Sequence, residues 1–376
     1  MRVGIDATAV PLQRAGAGNY IFNLIQALAR VDRSNEYVVF GKAAHEEELD
    51  LRGSTVHFVQ KEFSGRGARL LWEQVGLPKE VRTHRLDVLH SPHYTMPLRH
   101  SARSVVTFCD MTFVLHPDLH EPLKRVFFPV MMRLSARRAD RLIAISESTR
   151  EDLVRMWGVD RRRVTAIPLA ADSDYHPLPP KEIAETCTTF GLRPGGYILY
   201  VGMLEPRKNV DRLVEAFGRV AGDMPDLELV IGGRRGWMYD QIFAQVEALG
   251  LHDRVRFTGF VPQEALPALY GGARFFVYPS KYEGFGIPVL EAMSCGTPVI
   301  TTNVSSMPEV AGDAAILVAP DDVAGLASAL VRAAADHTLR ADLACKGLMR
   351  AKMFSWERCA RETIAVYEAA LTGWEP

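Results

Sequence analysis

The sequence has few cysteines, almost no net charge and no long hydrophobic run. Its five cysteines are scattered without a Cys-x-x-Cys pair, which argues against a disulfide framework and a structural zinc site. A formal net charge of -1 provides no overall field that would attract a nucleic acid. No apolar run approaches the roughly 20 residues that span a bilayer, and no signal peptide precedes the first strand pattern. We therefore expect a reduced, cytoplasmic protein that contacts a membrane at most peripherally, at its inner face.

The composition and the hydrophobic pattern predict two α/β domains. With 376 residues, of which 48% are hydrophobic and 24% charged, the chain suits two globular domains of roughly 150–200 residues. Strands are predicted at 2–6, 37–40, 56–59, 88–89, 105–108, 142–144, 164–167, 197–201, 227–231, 255–257, 275–278, 299–302 and 315–318. Helical stretches alternate with these runs, which is typical of doubly wound parallel sheets. We expect domains at 1–170 and 171–355, joined by a proline-rich linker at 168–182, and a last helix at about 356–371.

Residues 278–299 read as strand, glycine loop and helix. Gly284 and Gly286 let the backbone approach a ligand closely, and Pro288 is predicted to be the first residue of the helix. Helix N-termini favour negative charge, so phosphates fit between the two carboxylates that flank the loop, Glu283 and Glu291. Carboxylates accept hydrogen bonds from hydroxyls. A nucleotide-sugar carries hydroxyls at both ends and phosphates in the middle, so this stretch predicts a nucleotide-sugar site; an acidic helix terminus without a ligand is the alternative.

A second glycine turn follows the strand at 197–201. Arg207 and Lys208 lie just before a helix that begins near Val210, so two cations and backbone amides converge where a diphosphate would bind. An ordinary charged surface turn is the alternative.

Both stretches resemble one enzyme family. The pattern Glu283-Gly284-Phe285-Gly286-x-Pro288-x-x-Glu291 resembles the Glu-x7-Glu signature of family-four retaining glycosyltransferases with the GT-B fold, and residues 205–209 resemble its phosphate-binding turn. The resemblance implies two Rossmann-like domains that face each other across a cleft, with acceptor on the first, donor on the second and the last helix crossing back to the first. The implied donor-binding positions are Gly16, Gly18, Gly202, Gly233, Val261, Gly284, Phe285, Gly286, Ile287 and Glu291.

The resemblance also implies the chemistry. A hexose passes from a nucleotide-diphosphate sugar to a hydroxyl, with retention, while Arg207 and Lys208 stabilise the leaving diphosphate and Glu283 holds the donor sugar. Neither a cofactor nor a metal is expected, and we interpret the Asp-x-Asp match at Asp172 as accidental because it lies in the linker. Expected partners are the nucleotide-sugar and a glycan or lipid-linked acceptor, without nucleic acid.

The chain departs from the family pattern at two positions. Cys109 stands where relatives often carry histidine. Of the family's His-Asp pair, this chain therefore keeps only Asp110, which the resemblance implies is catalytic. Met203 stands where many relatives carry arginine. Several histidines lie nearby, and we keep His93 alone as an acceptor-side contact.

Three questions stay open at this point. Residues 125–141 form a basic amphipathic pattern that fits an anionic membrane surface as well as it fits a helix covering the sheet. The opening GIDATAV and the EPRKN turn resemble the subgroup that builds surface polysaccharides, often with GDP-mannose, while UDP-sugars and deoxysugar donors are alternatives. A sugar-nucleotide epimerase on the same scaffold and an inactive assembly scaffold are the remaining rivals.

Overall fold

The computed structural model describes residues 1–11, 16–120, 122–236 and 239–373. The chain divides into two compact units, one formed by residues up to Leu169 together with the chain from Ser355 onward, and the other by Ala170–Phe354.

The first unit is built on a seven-stranded sheet. Its elements in chain order are β1 (Arg2–Asp6), α1 (Ala17–Val31), β2 (Glu36–Gly41), α2 (Ala43–Glu48), β3 (Val56–Gln60), α3 (Arg66–Val75), α4 (Leu77–Thr83), β4 (Val88–Ser91), β5 (Arg103–Phe108), α5 (Thr112–Leu115), α6 (Pro122–Arg138), β6 (Arg141–Ala144), α7 (Glu147–Trp157) and β7 (Val164–Ala166). The strand order is β3-β2-β1-β4-β5-β6-β7.

The second unit is built on a six-stranded sheet. Its elements are α8 (Pro180–Thr189), β8 (Tyr197–Val201), α9 (Val210–Val220), β9 (Glu228–Gly232), α10 (Asp240–Ala248), β10 (Val255–Gly259), α11 (Leu266–Gly272), β11 (Phe275–Tyr278), α12 (Ile287–Ser294), β12 (Val299–Thr302), α13 (Met307–Ala311), β13 (Ala315–Val318), α14 (Val323–Ala335) and α15 (His337–Ala351). The strand order is β10-β9-β8-β11-β12-β13. Neighbouring strands of the described residues pair in parallel in both sheets, so the predicted α/β class with two doubly wound sheets is confirmed.

The last helix, α16 (Trp356–Thr372), packs against α1 and the sheet of the first unit. Its buried Tyr367 hydroxyl lies 2.7 Å from His90 Nδ1, while His90 Nε2 lies 2.8 Å from the Thr107 hydroxyl. Burial lowers the pKa of His90 to about 3, so this imidazole is neutral. His90 therefore has a structural task that we did not predict from the sequence.

Two predicted helix starts and the predicted linker differ from the structure. Helix α12 begins at Ile287, so Pro288 is its second residue and Glu291 its fifth, beyond the first turn where the helix dipole favours a carboxylate. Helix α1 begins at Ala17, which places Gly18 in its first turn rather than in the loop. The predicted linker is partly structured, since Tyr175 is buried with its ring 6.0 Å from that of Tyr270.

The basic stretch 125–141, predicted as one helix, is divided between a helix and a strand. Helix α6 ends at Arg138, and Arg141 is buried in β6. The Met132 side chain points inward and is fully buried. No helix among the described residues has both the length and the apolar character needed to cross a membrane.

Candidate active site

The predicted donor residues of the second unit gather where its strand order reverses. Strands β8 and β11 are neighbours although they are separated along the chain, and the chain builds the sheet outward from them in opposite directions. Ligands of open α/β sheets bind outside the carboxyl ends of strands at such a switch point. The two turns that the sequence singled out, after Val201 and after Tyr278, both start at this point.

The turn that carries Arg207 and Lys208 is tied to the neighbouring strand. A single 3-10 turn spans Pro206–Lys208, and Asn209 follows it at φ 60°. Asn209 Nδ2 donates to the carbonyls of Pro279, at 3.0 Å, and Pro320, at 2.7 Å. Lys281 N donates to the Arg207 carbonyl at 2.9 Å. Asn209 and these backbone bonds therefore hold the two cations beside the glycine loop.

Arg207, Lys208 and Glu283 form one buried ionic cluster. Lys208 Nζ lies 2.6 Å from Glu283 Oε1, and Arg207 Nη1 lies 2.8 Å from Glu283 Oε2. Lys208 Nζ also donates to the Tyr278 hydroxyl at 2.6 Å, and Arg207 Nη2 donates to Glu205 Oε1 at 2.7 Å. Sequence reasoning missed Glu205 and Tyr278, whose polar groups complete the cluster although both stand inside the quoted stretches.

Charge pairing decides the ionisation of this cluster. Burial alone would raise the pKa of Glu283, but Arg207 and then Lys208 overcome it and hold that pKa at about 2. Burial, with help from Arg207, lowers the pKa of Lys208. Glu283 is thus ionised at neutral pH, and its carboxylate pairs with both cations.

The glycine loop is held by serines that no sequence pattern marks. Ser306 Oγ donates to the carbonyls of Glu283, at 3.0 Å, and Phe285, at 2.8 Å. Glu283 N donates to Ser305 Oγ at 3.0 Å. Gly286 has φ 103°, and a Cβ there would lie 2.2 Å from Met307 Cε. The left-handed backbone therefore favours glycine at 286, while the terminal methyl of Met307 would have to move to admit a side chain. Gly284 is buried in the same loop, and the half-buried Ile287 opens α12.

Glu291 is engaged by tyrosines rather than by the cationic cluster. Tyr270 Oη in α11 donates to Glu291 Oε2 at 3.0 Å, and the Tyr175 side chain also hydrogen-bonds to this carboxyl. Burial raises the pKa of Glu291 to about 7, although both tyrosines oppose the shift. The two glutamates of the motif thus have opposite ionisation behaviour, which their spacing could not reveal.

The remaining donor positions of this unit lie at the same edge of the sheet. A Cβ at Gly233, where φ is 143°, would fall 1.8 Å from the Gly202 carbonyl oxygen, so the turns after β8 and β9 touch through glycine. Gly233 N donates to the Gly259 carbonyl at 2.7 Å, and the following Val261 is buried. These glycines have a packing reason that holds with or without a ligand.

The first unit carries the other predicted residues. Asp110 Oδ1 accepts hydrogen bonds from Thr112 N, at 2.9 Å, and Thr112 Oγ1, at 2.7 Å, while the carboxylate raises the pKa of His93 against the larger effect of burial, which lowers it to about 4. Cys109 is buried, and burial raises the pKa of its thiol, so it offers no acid or base near neutral pH.

Gly16 stands before the first residue of α1 at φ 50°. Residues 12–15 of the preceding glycine turn lie outside the described residues.

Two doubly wound units of this kind define the GT-B class of glycosyltransferases. The chain belongs to the group 1 glycosyltransferases: the family described as glycosyl transferases group 1 matches residues 194–348, and glycosyltransferase family 4 matches residues 14–175. This confirms the resemblance drawn from the sequence.

Named relatives agree with this family. The chain is 36% identical over 289 residues to O-antigen chain mannosyltransferase B of Escherichia coli, covering 77% of this chain and 76% of that protein. It is 30% identical over 286 residues to the serotype-specific mannosyltransferase WbdA of Escherichia coli, covering 73% of this chain and 35% of WbdA. In fold, it is similar to sucrose-phosphate synthase from Thermosynechococcus elongatus, with a TM-score of 0.80, 21% identity and full coverage of both chains.

Proposed function

We propose that this glycosyltransferase moves mannose from GDP-mannose to a hydroxyl of a glycan or lipid-linked acceptor in polysaccharide synthesis. The observation that carries the proposal is the buried cluster of Arg207, Lys208 and Glu283 at the switch point between β8 and β11. The similarity to a protein named as an O-antigen chain mannosyltransferase supports mannose as the transferred sugar.

The cluster suits departure of a diphosphate. The two cations stand in a buried site, where preorganised charge is worth several kcal/mol to a transition state in which negative charge develops. Glu283 pairs with both cations, and Glu205 pairs with Arg207. We propose that the two cations contact the diphosphate while they stay paired with Glu283, and that Glu283 accepts hydrogen bonds from hydroxyls of the donor sugar.

We further propose retention without a metal. The bond from the anomeric carbon to the diphosphate breaks, the acceptor oxygen bonds that carbon on the same face, and the acceptor proton passes to a diphosphate oxygen. Arg207 and Lys208 supply the positive charge that a divalent ion would otherwise provide. Proton NMR of the product made from GDP-α-mannose would show an α linkage, and a β linkage would overturn retention.

Thermal stabilisation by a panel of ligands tests the donor. A ligand that binds only the folded state raises the melting temperature, and at equal concentration the tighter ligand raises it more. We expect GDP-mannose and GDP to raise it more than UDP-glucose, UDP-N-acetylglucosamine or UDP at equal concentration. A larger shift with any UDP ligand would move the donor to that alternative. Conversion of GDP-mannose to another nucleotide-sugar without acceptor would favour the epimerase.

Calorimetric titration with GDP distinguishes the proposed roles of Glu291 and Glu283. Glu291 is proposed to hold the ribose, which nucleoside diphosphate and nucleotide-sugar share, whereas Glu283 is proposed to hold the sugar. Calorimetry should show that Glu291→Gln weakens GDP binding and that Glu283→Gln hardly changes it. Equal losses of GDP affinity would contradict this division of labour.

Peripheral membrane contact is also part of the proposal. On one face of α6, at helical spacing, lie five exposed side chains, here called the α6 stripe: Leu123, Val126, Val130, Arg133 and Arg137. The three aliphatic side chains are 81%, 69% and 55% exposed. Exposed aliphatics beside arginines match the acyl boundary and phosphates of an anionic lipid surface.

Vesicle sedimentation tests this contact. Wild-type protein should bind vesicles that contain anionic phospholipid and bind neutral vesicles weakly. The double change Arg133→Gln, Arg137→Gln should reduce binding, whereas Arg162→Gln, at an exposed arginine paired with Asp160, should not. Equal sedimentation of all three proteins would remove the α6 stripe from membrane binding.

A further inference from the structure

The first unit has its own switch point, between β1 and β4. These strands are neighbours, and the chain adds β2 and β3 on one side and β5, β6 and β7 on the other. Strand β1 ends at Asp6 and strand β4 ends at Ser91. By the rule that places ligands at switch points, this is where the first unit would bind a small molecule.

Strand register places Asp6 and Ser91 side by side. Ile5 pairs with His90 in parallel register, so Asp6 and Ser91 come next on the two strands and share the opposite face of the sheet. That face is identified by Leu89, two residues before Ser91, which packs against Leu77 of α4. The side chains of Asp6 and Ser91 therefore face the α3–α4 side.

Helix α3 brings a buried ion pair to this place. Glu73 is 2% exposed, and its Oε2 accepts from Arg69 Nη1, at 3.1 Å, and from Thr95 Oγ1, at 3.0 Å. Burial raises the pKa of Glu73, and the charge of Asp6 adds to that rise, which places the two carboxyls within electrostatic reach. The charges of Asp110 and Arg69 both act on the pKa of His93, which Asp110 raises and Arg69 lowers. Three carboxyl groups, one guanidinium and one imidazole thus surround the carboxyl ends of β1, β4 and β5.

One hydroxyl in this group has no hydrogen-bond partner among the described residues. Ser91 is 2% exposed, and its Oγ makes no hydrogen bond to any described residue. Leaving a buried polar group without a hydrogen-bond partner is unfavourable. Asp6 Oδ1 accepts from Thr8 N and Thr8 Oγ1, at 3.0 and 2.6 Å, and these are its hydrogen bonds within the described chain. Unused hydrogen-bonding capacity remains on both residues.

We propose that Asp6, Glu73, Ser91, His93 and Asp110, with Arg69 bound to Glu73, form the acceptor subsite and that it selects an uncharged saccharide end over a phosphorylated one. Carboxylates, an imidazole and a hydroxyl exchange hydrogen bonds readily with sugar hydroxyls. Three carboxyl groups against one guanidinium make the place unfavourable for a phosphate. This inference rests on the proposed function, since it names the acceptor of that transfer.

Ligand-observed NMR titration of the full chain tests the subsite with two probes, methyl α-mannoside and mannose 6-phosphate. Wild-type protein should bind the uncharged mannoside at least fivefold more tightly than the phosphate. Ser91→Ala and Glu73→Gln should each weaken mannoside binding at least fivefold. Glu80→Gln is the matched control, because Glu80 lies on the adjacent helix α4 but pairs with Lys61, and it should bind as wild type does.

Two further readouts separate this inference from its rivals. A purely structural Ser91 would give a variant of equal or higher melting temperature with unchanged mannoside affinity, since only an unpaired hydroxyl is lost. GDP affinity is measured on the same samples and tests whether the donor site is intact. If the protein fails to bind GDP, the proposed donor is wrong, but the mannoside titration still tests the acceptor subsite. Tighter binding of mannose 6-phosphate, wild-type mannoside affinity in both variants, or no mannoside binding to the wild type would each overturn the proposal.

Discussion

Lys208 is the residue on which the proposed chemistry depends most directly. It is 8% exposed, and its ammonium group is held in place by hydrogen bonds to Glu283 and Tyr278. Loss of one preorganised charge at a leaving group typically costs about 3–4 kcal/mol. We expect Lys208→Ala to lower kcat by about a hundredfold or more at saturating donor.

The neighbouring lysine provides the control for that measurement. Lys281 is exposed at the start of the same loop, and Lys281→Ala should keep wild-type turnover. The fold should persist in Lys208→Ala, because Arg207 still pairs with Glu283. Unchanged kcat in a folded Lys208→Ala protein would remove this lysine from the mechanism.

Glu291 should make stability depend on pH. Burial raises its pKa from 4.5 to about 7, so between these values the folded protein holds a proton that the unfolded chain has released. Stability from this group therefore falls as pH rises through that interval. Glu291→Gln removes the titration, so the melting temperature of the variant relative to wild type should be higher near pH 8 than near pH 5. A difference that does not change with pH would contradict the raised pKa.

At the scale of the element, the glycine loop has a backbone conformation at Gly286 that disfavours a side chain. At Gly286 the backbone is left-handed, with φ 103°, and an added Cβ would meet Met307 Cε at 2.2 Å. Backbone strain should cost about 1–3 kcal/mol, to which the displacement of the Met307 methyl adds less. Gly286→Ala should therefore lower the melting temperature and weaken GDP binding. Gly222→Ala is the control, since a Cβ there meets nothing within 4 Å, and equal stability of the two variants would contradict the steric argument.

Strands and their order of appearance could be predicted from the sequence, whereas contacts between loops could not. The runs at 197–201 and 275–278 coincide with β8 and β11 because a strand buried on both faces is continuously apolar. Ser305 and Ser306 hold the glycine loop from more than 20 residues away, and no periodic pattern marks them. The burial of Glu291 among tyrosines likewise follows from packing between α11 and α12, which spacing within one motif does not encode.

At the scale of the whole molecule, the proposed reaction needs no divalent ion. The described residues contain no group of three or more His, Cys, Asp or Glu side chains placed to hold a metal. We propose that Arg207 and Lys208, which pair with Glu283, provide the positive charge for the diphosphate. We expect transfer rates to be unchanged in EDTA, measured by release of nucleoside diphosphate. Loss of activity that manganese or magnesium restores would replace the metal-free reaction with a metal-assisted one.

The last helix, α16, is joined to the first unit by buried hydrogen bonds from Tyr367 to His90 and from His90 to Thr107. Loss of the Tyr367 hydroxyl should therefore destabilise the first unit. In Tyr367→Phe, His90 Nδ1 loses its partner, at a cost of about 1–3 kcal/mol, while Thr107 still bonds Nε2. The matching change in the second unit is Tyr197→Phe, which removes a 2.6 Å hydrogen bond to the Leu269 carbonyl.

Hydrogen exchange should locate each loss in its own unit, because cooperative opening follows shared packing. Tyr367→Phe should speed amide exchange in β1, β4, β5 and α16 and leave β8 and β11 protected as in the wild type. Tyr197→Phe should do the reverse, which shows that the method detects loosening in either unit. If Tyr367→Phe exposes β8 and β11 as much as β4 and β5, the two units open as one body and α16 does not stabilise the first unit selectively.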